Sequence, residues 1–304
     1  MMKRFTTPAS LNAQGSAVVL VLCVLAVPVC AQGLQPLNDD ALSSVQGRDG
    51  LSFDLSNFSM SGDARLTYYA PAPSTASAYI ANMSMSRSDD PANEFGDPYR
   101  LDIIRRGPGE SDVITLSRPE NANGAKRWQT AFDWGVDADG INFDGGSIVL
   151  RDTAFYGGGM QWTTPRAGDG IAFGTSLRME IGNLLLRPRG RGDISMAEPA
   201  GVTEQMNFRG VRIGAVDSNG NFLNTPWRIA DVTAQPGIMN AVTDSAGNSR
   251  IHIGIDWPDA NGAPLGGLQV DNLSFRSDIT GNVDLGASRI GSMQIQYFDM
   301  KLRP

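Results

Sequence analysis

From Leu51 onward the chain alternates apolar and polar residues with a period of two, the pattern of strands that bury one face. One unit recurs within it: apolar-x-apolar-x-x-apolar-x-apolar. It is spelled by Phe53, Leu55, Phe58 and Met60, then by Met179, Ile181, Leu184 and Leu186. It returns as Leu268, Val270, Leu273 and Phe275, and as Met293, Ile295, Phe298 and Met300, with a weaker copy at Ile148, Leu150, Thr153 and Phe155. Two residues separate the inner pair where strict alternation allows one. A flat strand would send the two pairs to opposite faces. A bulge or corner at the centre returns both to one face. Asn57, Asn183 and Asn272 stand just before the third apolar position, and asparagine tolerates the unusual backbone angles of such a corner. The pattern predicts Leu55, Phe58, Ile181, Leu184, Val270, Leu273, Ile295 and Phe298 as core residues, with Asp54, Glu180 and Gln296 pointing outward.

Turn signals lie between the strand candidates: Asn123-Gly124, Asp139-Gly140, Asn219-Gly220, Ala246-Gly247 and Asn261-Gly262 each close a short polar stretch. Asn-Gly and Asp-Gly between alternating runs favour hairpins and antiparallel pairing. Upstream, Leu37 to Gly47 reads as one short helix, with Asn38 or Asp39 at its start, Leu42 and Val45 on one face and Gly47 at its end. The stretch Ala70 to Pro98 is rich in Ala, Pro, Ser and Asp and reads as a surface excursion, with at most an edge strand near Tyr79 to Met85.

The first 31 residues have the order of a secretory signal peptide: Lys3 and Arg4, an apolar run from Ala17 to Val29, and small residues around Ala31. The run is short for a membrane span and is broken by Pro28. Removal of this leader would take both cysteines, Cys23 and Cys30, so a chain starting at Gln32 holds no disulfide. The organisation expected is a signal peptide at 1–31, a helical segment at 32–50 and a single β-domain at 51–304.

The string from Leu34 to Leu55 resembles the N-terminal signature of a family of exported proteobacterial envelope proteins of unknown function, among them Fil-type pilus-assembly proteins. Leu37, Asp39, Leu42, Val45, Gly47, Gly50 and Leu51 carry the likeness, and Arg48 replaces the usual Gln. The resemblance implies an envelope location and a fimbrial role, and brings no catalytic residues.

Composition narrows the chemistry. With 304 residues, 41% hydrophobic and 19% charged, the chain is an ordinary globular one. The 35 Gly and 17 Pro demand many turns and argue against a helix bundle. A net charge of −7 argues against a nucleic-acid groove. With one histidine, His252, and no cysteine after the leader, His/Cys zinc sites and cysteine catalysis are excluded, and no nucleophile elbow supports a serine triad. Alternation places His252 opposite the apolar side of its strand, towards solvent. Gly157-Gly158-Gly159 opens no helix and is no phosphate cradle. The acidic run Asp133 to Gly140 has calcium-like oxygens but lacks the EF-hand spacing at Gly135 and Gly146, so it reads as a hairpin turn. Arg191-Gly192-Asp193 is a short match that a polar turn explains.

The architecture expected is all-β: an elongated antiparallel β-sandwich with repeated bulged strands, with a β-solenoid or an outer-membrane β-barrel as alternatives. No catalytic, cofactor-binding or metal residues are assigned, and no cofactor. The function expected is a non-catalytic structural or assembly component of the bacterial envelope, fimbrial in kind. The alternative is a periplasmic or surface module that binds a lipid or glycan. Partners expected are envelope or fimbrial proteins, or further copies of the chain joined through strand edges. Nucleic acid and an integral membrane span after the leader are not expected, and the location expected is periplasm, outer-membrane surface or outside the cell.

Overall fold

The computed structural model describes residues 50–70, 74–92, 97–122, 126–188, 204–258, 262–277 and 279–302. The expected leader, the helix at 37–47 and the Arg191-Gly192-Asp193 turn lie outside these residues. Among the described residues there is no helix, and none therefore long and apolar enough to cross a membrane. Sixteen strands make up the described fold. They are β1 (Leu51–Phe53), β2 (Ser59–Ser61), β3 (Arg65–Tyr69), β4 (Ser77–Arg87), β5 (Tyr99–Ile104), β6 (Val113–Ser117), β7 (Trp128–Ala138) and β8 (Ile141–Thr163). There follow β9 (Ile171–Arg187), β10 (Gln205–Ala215), β11 (Trp227–Ala230), β12 (Gly237–Thr243), β13 (Ser249–Asp256), β14 (Gly266–Ser277), β15 (Gly281–Met293) and β16 (Tyr297–Leu302).

The expected all-β antiparallel architecture is what the chain adopts. Where two packed sheets were expected, hydrogen bonds join all sixteen strands into one branched sheet, which does not close into a barrel. Branching follows from strand length. β8 and β9, of 23 and 17 residues, form the central hairpin and outrun their neighbours. The outer edge of β8 takes β7 along Ile141–Thr153 and β6 along Gly159–Trp162. The outer edge of β9 takes β12, β11 and β10 in turn. Two wings share the hairpin. One runs from β4 and β7 across to β10, β14 and β15, and the other from β1, β5 and β6 across to β12, β13 and β16.

The glycine triplet sits where β8 changes neighbours. Gly157 and Gly158 have φ of 68° and 70°. The Gly157 amide donates to the Pro119 carbonyl at 2.7 Å, and the Arg118 amide to the Gly158 carbonyl at 3.0 Å. A Cβ on Gly159 would lie 2.0 Å from the Leu116 carbonyl oxygen. The triplet is there for close backbone approach.

The bulged unit lies in register across adjacent strands. Ile148, Leu186, Met206 and Phe275 form one row across β8, β9, β10 and β14; Leu150, Leu184, Phe208 and Leu273 form the next. Thr153, Ile181, Val211 and Val270 form the third, and Phe155, Met179, Ile213 and Leu268 the fourth. Ile181, Val211 and Val270 are buried at the centre, with Leu150, Met179, Leu184, Phe208 and Leu268 packed around them. The spacing reads the same in both directions, so antiparallel neighbours match row for row. The corner is made by Asp152 (φ 57°) in β8 and by Gly210 (φ 65°) in β10. Asn57, Asn183 and Asn272, expected to turn it, have no positive φ.

The expected core holds at the middle of the array and fails at its ends. Ile181 and Val270 are buried, and Leu55, Leu184, Leu273 and Ile295 are half-buried. Phe58 and Phe298 are exposed, at 38% and 41%. Phe58 lies before β2 and leans edge-on against the buried Trp128, ring centroids 6.2 Å apart. Phe298 lies on the edge strand β16, bonded on one side only. Of the residues expected outside, Asp54 is exposed, while Glu180 and Gln296 are half-buried. Within Ala70 to Pro98, where at most an edge strand near Tyr79 to Met85 was expected, β4 is an eleven-residue interior strand bonded to β2 and β3 on one edge and to β7 on the other.

Candidate functional site

The four apolar rows are half-covered outside their centre and reach β15, where Val283 pairs with Phe275 and Ile290 with Leu268. At the low-numbered end of β8 the face deepens into a trough of about 580 Å³, lined among others by Trp134, Phe143, Leu186, Met206, Phe275 and Val283. Trp134 and Phe143 meet edge to face, centroids 5.9 Å apart. The trough needs Gly145, since a Cβ there would lie 2.2 Å from the Trp134 ring. A smaller hollow of about 150 Å³ continues along Phe208, Leu268, Val270, Leu273 and Ile290. Glu204, Gln205, Arg276, Ser277 and Thr280 also line the trough, but most of its exposed wall is aliphatic and aromatic, so the surface suits an apolar partner.

Asp133 and Ser147, cross-strand partners in β7 and β8, alternate with these rows and belong to the other face. The Asp133 carboxylate accepts from the Asn82 side-chain amide and from the Ser147 hydroxyl, both at 2.7 Å. Arg187, fully buried, donates through Nε to Gln205 Oε1 at 3.1 Å. Asp133 is thus a satisfied interior strand residue, and the hairpin turn of the acidic run is Asp139-Gly140, with φ of 53° and 76°.

A polar hollow of about 320 Å³ lies where β6, β8, β9 and β11 meet, with Ser117, Glu120, Gln161, Ser176, Arg228 and Asp231 in its wall. Burial raises the Asp231 pKa. The Ala234 and Thr233 amides and the Arg228 guanidinium, 2.8 Å away, outweigh it and hold the carboxyl below its usual range. Its charge is committed to its own turn. His252, half-buried on β13, has Nδ1 2.8 Å from Asn240 Oδ1 and Nε2 3.5 Å from Asp299 Oδ1. Among the described residues no group of three or more His, Cys, Asp or Glu is placed to hold a metal ion.

Sequence reasoning found three of the strands in the array and missed two. Met206, Phe208, Val211 and Ile213 carry the same spacing in β10, with Gly210 just before the third position. Val283, Leu285, Ser288 and Ile290 carry it in β15, with Gly286 (φ 72°) at the corner. The glycines at those corners were the available signal.

The profile of a family of unknown function, DUF6160, matches residues 13–105. The matched stretch takes in Leu34 to Leu55 and ends just past β5. No curated protein and no solved structure matches the chain.

Proposed function

We propose that the chain is a non-catalytic assembly component of the bacterial cell envelope, fimbrial in kind, acting through sheet contact. One observation carries this reading: the apolar rows run to an exposed edge strand, so the surface that builds the core continues to the rim of the sheet. Val283, Leu285 and Ile290 there are 41%, 56% and 50% exposed. The leader-like start and the fimbrial resemblance of Leu34 to Leu55 support the envelope setting. In-cell crosslinking followed by purification of the native protein tests it. Crosslinks to itself or to another envelope protein are expected, and deletion should alter appendages or envelope integrity. A monomer without partners that turns over an envelope polymer would overturn it.

The trough favours a second reading, a module that binds an acyl chain. Native mass spectrometry of protein purified without detergent would then show a co-purifying lipid, lost when Met206 is replaced by Glu.

A further inference from the structure

We propose that two copies of this protein join through β15, antiparallel, about a two-fold axis passing between Gly286 and Ala287. The inference rests on the assembly reading and names its contact.

One rule governs the registers of the apolar array, with a single departure inside the units: Leu273 of β14 stands opposite Gly286 of β15, not Leu285. β8, β9, β10, β14 and β15 each carry the spacing, and neighbouring pairs align the centres of their units, in β14–β15 at three of the four rows. Phe208 therefore meets Leu184 on one side and Leu273 on the other, and Val211 meets Ile181 and Val270. β15 is the last carrier. Among the described residues no strand pairs with its outer edge, and Val283 to Leu285 and Ala287 to Ile290 are all exposed. A strand that carries the same reversible unit, run antiparallel, matches β15 position for position. A second copy of β15 is such a strand.

Aligning centres places Val283 opposite the partner's Ile290 and Leu285 opposite the partner's Ser288. On the other face it places Asp284 opposite the partner's Arg289, and the two-fold axis repeats that pair. These are the only charges in β15, which has no lysine or proline of the kind that blunts natural edges. Opposite charges directly across an antiparallel pair are favourable, and like charges are not. A slip by one residue sets apolar side chains against polar ones. A slip by two loses both charge pairs. Asp284 is fixed in place, accepting from the Asn272 side-chain amide at 2.6 Å and the Gly286 amide at 2.8 Å, while Arg289 donates to the Gly220 carbonyl.

The test uses the full chain with Cys23 and Cys30 changed to Ser. Val283→Cys and Ile290→Cys proteins are made separately, oxidised alone and then mixed. The expected result is a 283–290 disulfide that forms several-fold more in the mixture than in either protein alone, because opposed Cβ atoms come within disulfide reach. In otherwise native protein, D284R alone and R289D alone should weaken self-association, and the D284R/R289D double variant should restore it. No excess crosslink on mixing, or no restoration, overturns the β15 pairing. If native protein still crosslinks in cells while these tests fail, the register is wrong and the assembly reading stands. If native protein is monomeric and partnerless, both fall.

Discussion

Asp152 and Gly182 stand opposite each other in the β8–β9 ladder, and a Cβ built on Gly182 would lie 2.8 Å from the Asp152 Cβ. The Asp152 side chain fills space that Gly182 leaves. One strand further, Gly210 turns the same corner with φ of 65°. The level at which the sheet changes face is thus set by local backbone choices in adjacent strands.

Substitutions at this level should differ in sign. Gly210→Ala imposes a left-handed angle on a residue with a Cβ, costing about 1–2 kcal/mol, and its Cβ would start 2.3 Å from the Asp271 carboxylate. Asp152→Gly relieves the same kind of angle and should be neutral or stabilising by up to about 1 kcal/mol. Urea midpoints of the two variants, at unchanged slope, check the pair.

Burial sets a second contrast. Ile181 is 4% exposed at the centre of the array, whereas Phe298, read from sequence as core, is 41% exposed. Ile181→Ala should cost about 2–5 kcal/mol. Phe298→Ala should cost under about 1 kcal/mol despite removing the larger side chain. Equal losses in thermal or urea unfolding would mean that β16 is covered in solution.

What could be read from the sequence was direction along the chain. Alternation and the doubled spacer told which side chains share a face, and that is how Met179, Ile181, Leu184 and Leu186 were placed. Alternation does not tell whether anything covers that face, so Phe58 and Phe298 were read as core. Tyr79 to Met85 reads as at most an edge strand because Ser77-Ala78-Tyr79-Ile80-Ala81 has a loop-like composition; β4 is longer and interior because β3 and β7 bond both its edges. The trough was invisible because it needs Trp134, Phe143 and Leu186 brought together from three strands. The open edge of β15 was invisible because strand order is not written in periodicity.

The buried carboxylate of Asp133 gives a third test. Asp133→Ala strands the buried Ser147 hydroxyl, at a cost of about 1–3 kcal/mol, and takes an acceptor from the half-buried Asn82 amide. Asp133→Asn keeps the shape and one acceptor, so it should cost less than Ala. The double variant Asp133→Ala with Ser147→Ala should recover part of the loss, because it removes one stranded donor. Additive losses in a double-mutant cycle would show that the Asp133–Ser147 bond contributes nothing.

Asp217 and Asp244 build the same turn, Asp-Ser-x-Gly-Asn. In each, one carboxylate oxygen accepts the amides two and four residues on, and the closing Asn side chain reaches the other oxygen. Asp244 has a further partner, Arg250, at 2.6 Å. The Asn248 amide, then the Arg250 side chain, lower its pKa to about 2 from an ordinary 3.8. The folded value lies below the unfolded one, so the folded state favours the ionised form. The stability this contributes is complete above the unfolded value and is lost as pH falls from about 4 through about 2. Asp244→Asn should therefore be less stable than the native chain at pH 5 and converge on it towards pH 2. Carboxyl NMR should find the Asp244 midpoint near 2 and shifted upward in Arg250→Ala. An ordinary midpoint, or a stability difference that persists unchanged to pH 2, would show that the turn does not depend on this charge.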